Sequence, residues 1–311
     1  MWRNFKFILF LLLPVFVLSQ NPVFQHMSKV SNLPDVEFYD IAEDYQNYIW
    51  LAANKGLYRY NGKTYEQFTH PEQKSNSLFQ LKFDTENRLW CNNIYGQLFY
   101  VENDRLQLFY DASQLVNGQL AQFEILENNI RLFTVIGIFD INKTTKQVTE
   151  VFKGMCITNV RDHDSNYTFI INFEGELKRH RLYKLGKQKR TKILEITSAN
   201  RIQSPKLFAF KNDVFLIHNS AKGNVLYVID KAENTSKKVA IPLRLQNETI
   251  YNILNFDNEY WFLTSSGIFV YEFENEYFTF TEQLFSTESV TDVQIDFNNN
   301  YWFTTLDNGV F

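Results

Sequence analysis

Four stretches of the chain share one signature. They are "YQNYIWLAANKGLYRY" (Tyr45–Tyr60), "TENRLWCNNIYGQLFY" (Thr85–Tyr100), "DNEYWFLTSSGIFVYE" (Asp257–Glu272) and "NNNYWFTTLDNGVF" (Asn298–Phe311). Each has a polar turn, a bulky run ending in or containing tryptophan, and then a glycine followed, directly or after Gln97, by an apolar and an aromatic residue. With the glycine as marker, copies fall at Gly56, Gly96, Gly137, Gly175, Gly223, Gly267 and Gly309, at intervals of 40, 41, 38, 48, 44 and 42. Periods of this size belong to propeller blades or to helical arrays. Apolar residues here alternate over four to seven positions and then meet Asn, Asp or Gly, which is the period of a strand and excludes a helical array.

Each unit reads as four short strands. In the first, Val36–Ile41, Tyr48–Ala52, Gly56–Tyr60 and Thr64–Phe68 are strands; in the second, Leu81–Phe83, Arg88–Asn92, Gly96–Val101 and Arg105–Phe109. Units three to five are eroded, with Phe133, Phe169 and Phe215 near the place of the tryptophan, so that bulk is kept and the indole lost. That substitution suits a packing position between sheets. A lone four-stranded sheet cannot bury both faces, whereas radial stacking buries them against neighbours. The expected fold is therefore all-β: a single seven-bladed β-propeller of four-stranded blades.

The seventh unit supplies a first strand (Val290–Phe297), a second (Tyr301–Thr305) and only the start of a third at Gly309. The stretch "VFQHM" (Val23–Met27) precedes the first blade and belongs to none. The last blade is thus expected to be incomplete, or closed by the N-terminal strand, which would cover an exposed edge. A truncated chain, marginally stable at that edge, is the accompanying expectation.

Ahead of the repeats, Arg3 and Lys6 lead an apolar run from Phe7 to Leu18, with Val17-Leu18-Ser19 as a cleavage site. Twelve apolar residues are too few to span a bilayer, and Pro14 would kink a membrane helix. Residues 1–19 are read as a secretory signal, 20–311 as the propeller, and the location as periplasmic or extracellular.

Composition narrows the function. Thirty Phe, seventeen Tyr and five Trp suit half-buried pleated sheets. A formal net charge of −4 gives no basic face for nucleic acid. Cys91 and Cys156 make no disulfide framework and read as buried thiols. His26, His70, His163, His180 and His218 are isolated, and no phosphate loop, nucleophile elbow or zincin motif is present. Asp44, Asp84 and Asp257 recur before turns, as turn-forming residues do. No catalytic, cofactor-binding or metal-binding residue and no cofactor are nominated. The basic run "LKRHRLYKLGKQKRTK" (Leu177–Lys192) is expected to be a solvated hairpin joining the fourth blade to the fifth, with an anionic glycan or a protein as its functional alternative. Sequons at Asn142, Asn166, Asn234 and Asn247 matter only in a eukaryotic secretory route.

The WD dipeptide and the paired glycines of kelch blades are missing. The stretch "NLPDVEFYDIAEDYQNYIWLAANKGLYRYNGKTYEQFT" (Asn32–Thr69), entered through "PVFQHMSKVSNLPD", instead resembles the opening repeat of the two-component regulator propellers, with Asn32 where that family has glycine. The match is strong for blades one, two, six and seven and weak over Met155–Asp230. Such repeats are typical of periplasmic sensor regions of Bacteroidetes-like histidine kinases. The resemblance implies a sensor module that binds an extracellular ligand, a glycan among the candidates. Homodimerisation and membrane attachment would belong to the full-length receptor, and the kinase lies outside these residues. The alternatives are a secreted stand-alone binding or adhesion propeller, and a carbohydrate-active propeller enzyme with carboxylates gathered at its central channel.

Overall fold

The computed structural model describes residues 24–27, 33, 37–162, 165–174, 177–186, 189–198, 202–256 and 258–311. The expectations placed on residues 1–19, His163, Gly175 and Asp257 lie outside the described residues.

Six antiparallel four-stranded sheets follow one another along the chain, each in simple meander order. Blade one is Phe38–Glu43, Ile49–Ala53, Gly56–Tyr60 and Tyr65–Phe68, and blade two is Phe79–Phe83, Leu89–Asn92, Gln97–Glu102 and Arg105–Asp111. Blades three to six begin at Gln122, Met155, Gln203 and Ile250. First strands of neighbouring blades touch one another, which places them around the axis. The second strands of blades one and two, Ile49–Ala53 and Leu89–Asn92, are buried along their whole length. Apolar clusters then form between successive sheets: Trp50 and Leu57 of blade one pack with Leu89, Cys91 and Phe99 of blade two. Both cysteines are free and buried, and burial pushes their thiols well up.

The blade count corrects the sequence expectation. Six four-stranded blades are present rather than seven, and the seventh repeat is a two-stranded sheet of Val290–Ile295 and Tyr301–Thr305. Residues 309–311 begin a third line beside it: Phe303 and Phe311 exchange both backbone bonds at 2.9 Å, and Thr305 donates to Gly309 at 3.0 Å. The backbone N–H of Met27 in turn donates to the Val310 carbonyl at 2.8 Å. Phe24 packs on Phe285 with ring centroids 3.9 Å apart, and Met27 joins the core of blade one. Residues 24–27 therefore do lie on the seventh repeat, with the His26 ring also 3.1 Å from the Asn308 side-chain oxygen. The ring closes where Thr291 donates to the Phe38 carbonyl at 2.8 Å and the Phe297 N–H to Glu43 at 3.0 Å.

The repeated aspartate has a definite task. Asp44, Asp84 and Asp296 each accept the indole N–H of the tryptophan six residues on, at 2.7–2.9 Å, and the backbone N–H groups two and four residues on. Asn47, Asn87 and Asn299 take the left-handed conformation inside these turns, which asparagine tolerates. Each Asp thus fixes both the turn and the tryptophan it serves. In blade six Asn255 stands at this place, and Trp261 turns to Glu259 instead.

Register also relocates two expected tryptophan equivalents. Phe215 does occupy the position, paired with Phe208 on its inner strand. In blades three and four the position belongs to Arg131 and Tyr167, not to Phe133 and Phe169, which lie two residues further on. Arg131 makes a planar bidentate pair with Asp140 at 2.7 and 2.8 Å, so a flat ion pair replaces the flat indole. In blade four the second strand runs ten residues, Ser165–Glu174, and the longer hairpin upsets counting back from the glycine.

The basic run is likewise corrected. It forms the third strand of blade four (Leu177–Leu185) and the start of its fourth (Arg190–Ser198), not a connection between blades. Its charges are engaged: Arg181 pairs with Glu195 at 2.8 Å, Arg190 lies over Phe152 and Tyr183, and Lys184 donates to Asn234 of blade five at 3.1 Å. Leu182 is fully buried within it. Alternation put one face of this strand in the core despite its charge.

Candidate functional site: the axial ring and the cleft beside the seventh repeat

Two places gather polar or aromatic groups beyond what the sheets need: the axis, and the flank of the seventh repeat.

At the axis, the inner strands of every unit but the third carry a bulge, between Phe38 and Asp40, Phe79 and Lys82, Cys156 and Thr158, Gln203 and Lys206, Ile250 and Asn252, and Val290 and Asp292. A bulge re-aims the side chain beside it. Asp40 accepts the N–H of Leu81 in blade two at 2.8 Å. Gln80 donates to the Ala121 carbonyl at 3.0 Å, and Gln122 accepts the N–H of Asn159 at 2.6 Å. Lys206 donates to the Tyr251 carbonyl at 3.1 Å, and Asn252 to Asp292 at 3.0 Å. Between blades four and five the link runs through His180, which accepts the Ile202 N–H at 3.0 Å. Polar residues of the inner strands thus tie neighbouring units together, except between blades four and five, where His180 of a third strand makes the link.

The ring closes on two carboxyl groups, Asp40 and Asp292, half-buried and close enough to each other to share a hydrogen bond. Burial pushes both above the usual aspartate range, and for Asp40 the neighbouring Asp292 carboxylate adds to it. A hydrogen bond between two carboxyls needs a proton, and like charges at contact cannot both ionise. Carboxylates of a glycosidase stand about 5 Å or more apart to admit the sugar. A pair in hydrogen-bond contact leaves no such gap, so we read it as the ring's seam. Lys206, on the same ring, has its ammonium lowered by burial to about 8.

The seam makes a pH prediction. Carboxyls raised in the folded state stabilise it fully below their ordinary value near 4, and this contribution is lost as pH rises through the folded values. Asp292→Asn keeps an oxygen for Val293 N–H and Asn252 and offers an amide N–H to an ionised Asp40. The variant is expected to be more stable than the parent at pH 8 by about 1 kcal/mol. Thermal melts from pH 5 to 8 should show the difference growing with pH; a difference that is flat or shrinks would refute the shared proton.

The second place is a cleft of about 850 Å³. Blade one supplies Glu43, Asn47, Ile49 and Tyr60; blade six supplies Trp261, Glu282 and Leu284; the seventh repeat supplies Asp296, Tyr301, Trp302 and Phe303. It occupies the flank where a third and fourth strand stand in the other sheets. The tryptophans are held from both sides: Trp302 by Asp296 at 2.9 Å and by the edge of Tyr60, Trp261 by the stacked ring of Tyr301.

Among the described residues no three His, Cys, Asp or Glu side chains are grouped to hold a metal ion. His26 lies against Phe311, His70 caps a turn, and His180 and His218 are buried in separate blades, so the structure brings no two described histidines together. Sequence reading missed the axial ring. Its signal was there: a polar residue nine or ten places before each tryptophan position, from Asp40 before Trp50 to Asp292 before Trp302.

No family model matches the chain, and no curated protein matches it in sequence. Solved structures do. The extracellular domain of BT4673 from B. thetaiotaomicron, described once as a one-component and once as a hybrid two-component system, superposes with a TM-score of 0.65 at 15% identity. The match covers 89% of this chain and 38% of that one. The extracellular domain of the hybrid two-component system BT3049 from the same organism gives 0.63 at 15%, covering 93% and 41%. The fold is that of these extracellular domains. YCF48 from Cyanidioschyzon merolae is similar as well, at 0.65 and 13% identity, covering 89% of this chain and 96% of that one. At such identities the likeness is one of fold. This chain spans about two fifths of the length of the B. thetaiotaomicron chains. The resemblance carried by Asn32–Thr69 and these structures agree on the fold. No helix among the described residues is long and apolar enough to cross a membrane.

Proposed function

We propose that the chain is the sensory propeller of a two-component signalling protein, exported to the periplasm and acting on a histidine kinase across the membrane. The observation that carries this reading is the superposition of nearly the whole chain on about two fifths of the extracellular domains from such systems. The two-component signature of Asn32–Thr69 supports it independently. A ligand or partner bound to the propeller would act by preferring one of two arrangements of the receptor, since only differential affinity shifts an equilibrium.

A second reading has one observation in its favour. YCF48 is matched over 96% of its length, so a propeller of this size also exists with little else attached. On that reading the chain is a secreted binding module.

The source genome separates the two. The reading frame that encodes this chain, followed downstream, is expected to encode a membrane-spanning helix and a kinase transmitter. A frame that encodes neither would overturn the sensory reading in favour of the secreted module.

A further inference from the structure

A smaller cavity, of about 400 Å³, lies where the first strands of blades four, five and six end. Blade four lines it with Arg161 and Asp162, blade five with Phe210, Lys211 and Lys231, and blade six with Leu254. Its volume falls within the range of small-molecule pockets.

Behind its wall a donor lacks an acceptor. Tyr167 holds the tryptophan position of blade four and is fully buried, yet its hydroxyl has no hydrogen-bond partner. In blades one and two and in the seventh repeat, the flat side chain at this position gives its N–H to an aspartate six residues earlier. Six residues before Tyr167 stands Arg161, still within the first strand, so a base replaces the acid of the clamp. The Tyr167 ring lies under Lys184, whose ammonium donates to the Lys231 carbonyl at 3.3 Å. Burial and then the Asp162 carboxylate push its phenol up while Lys231 opposes them, which sets its oxygen toward the Asp162–Lys231 pair of the cavity wall. A buried hydroxyl of this kind calls for a water or a ligand.

The lining charges have the sign of a site for an anion. Arg161, Lys211 and Lys231 face one carboxylate, Asp162. The Lys231 ammonium, 13% exposed, donates to Asp162 at 2.8 Å and to the Phe210 carbonyl at 2.6 Å, which leaves its third N–H. Arg161 is anchored on the Ile125 carbonyl at 2.8 Å, with Glu124 at 4.0 Å. Lys211 is exposed and has no hydrogen-bond or ion-pair partner among the described residues. Neither Lys211 nor the Tyr167 hydroxyl serves the fold.

We propose that this cavity binds a small organic anion, a carboxylate or a phosphate monoester, in place of the aspartate that blade four lacks. An oxygen entering beside Lys231 replaces Asp162 as its counter-charge and brings an acceptor to the Tyr167 hydroxyl. Arg161 and Lys211 hold the remaining charge, and the apolar part of the ligand lies on Phe210 and Leu254. Bonds from charged donors to such an anion are stronger than those between neutral groups. The inference does not depend on the sensory reading, because a secreted binding propeller would carry the same cavity.

The test uses the whole exported chain, with benzoate, phenyl phosphate, inorganic phosphate and neutral benzyl alcohol as probes read by calorimetry. Benzoate or phenyl phosphate is expected to bind at least about tenfold more tightly than benzyl alcohol, and the tighter of the two identifies the charged group. Lys211→Glu, on an exposed side chain, should weaken that binding about tenfold while the thermal melt stays put. Tyr167→Phe keeps the ring and should weaken it about fivefold, without lowering the melt of the unliganded protein.

Benzoate and phenyl phosphate that bind no better than benzyl alcohol would overturn the proposal, as would binding indifferent to Lys211→Glu. A Tyr167→Phe variant that binds as its parent does, or that melts lower, would give the hydroxyl a purely structural role and overturn the replacement of the clamp. Inorganic phosphate binding as tightly as either organic anion would leave a site for a free ion and overturn the organic ligand.

Discussion

Gly267→Ala is expected to cost about 4 kcal/mol or more and to lower the melting temperature by about 10 °C. Gly267 opens the third strand of blade six with φ of +101°, a conformation side chains rarely adopt. A β-carbon there would collide with the carbonyl oxygen of Phe285 and lie 2.5 Å from that of Leu284. Both obstacles are backbone, so no rotamer change relieves them. The same steric limit explains why the repeat keeps this glycine while its tryptophan drifts: Gly96 would meet Val116 at 2.7 Å and Gly223 the Gln246 carbonyl at 2.5 Å. Gly62→Ala is the control, because Gly62 has φ of +88° and nothing within 4 Å of an added carbon. It should cost only the backbone strain, about 1 kcal/mol. Calorimetric melts of both variants check the pair; equal effects would show that collision with the outer strand is not what matters.

Asp84→Ala is expected to cost about 3 kcal/mol, the largest loss among single side-chain removals at the turns. The carboxylate, 1% exposed, receives the indole N–H of Trp90 and the Arg88 guanidinium at 2.8 Å, and the backbone N–H groups of Glu86 and Arg88 at 2.9 Å. Alanine leaves a buried indole N–H and a guanidinium without their acceptor. Asp84→Asn should recover little, since its amide nitrogen would face two donors. Burial alone would raise the Asp84 carboxyl, but Trp90 and Arg88 outweigh it and hold it below the ordinary value. Its stabilisation is therefore present above about pH 4 and lost as pH falls through the lowered folded value. Asp292 runs the other way, losing stabilisation as pH rises, so the parent should be most stable in between. Denaturant titrations of Asp84→Ala at pH 7 and pH 3 check this: the gap to the parent should narrow at the lower pH. A gap that does not narrow would show that ionisation of Asp84 is not the source.

The ends of the chain's described part were easier to read than its middle, and the reason is physical. Gly56–Tyr60 and Tyr301–Thr305 are strands over the very residues expected, because turn asparagines and the Asp–Trp clamp mark their borders. Blades three to five lack that clamp. Their interfaces are filled by other means, such as the Arg131–Asp140 pair and Tyr167 beneath Lys184, which keep a flat, bulky shape but no common residue type. The basic run at Leu177–Lys192 misled because charge was given more weight than alternation; Leu182 and Tyr183 are buried within it. The count of four-stranded blades is six rather than seven because the seventh repeat, expected to be incomplete, holds two strands with a three-residue third line. Nothing in the repeat spacing could announce that Asp40 and Asp292, far apart in sequence, meet at the axis. Ring closure alone does that. The cleft, too, follows from which blades become neighbours rather than from any local motif.

The claim that the propeller serves a kinase is tested most directly on native membranes. Antibodies against the propeller would be used to recover its polypeptide from source-cell membranes incubated with radiolabelled ATP. The recovered polypeptide is expected to be much larger than 37.0 kDa and to carry an acid-labile, alkali-stable phosphoryl group, as phosphohistidine does. Recovery of an unlabelled polypeptide near 37.0 kDa, released to the periplasm or the medium, would contradict it.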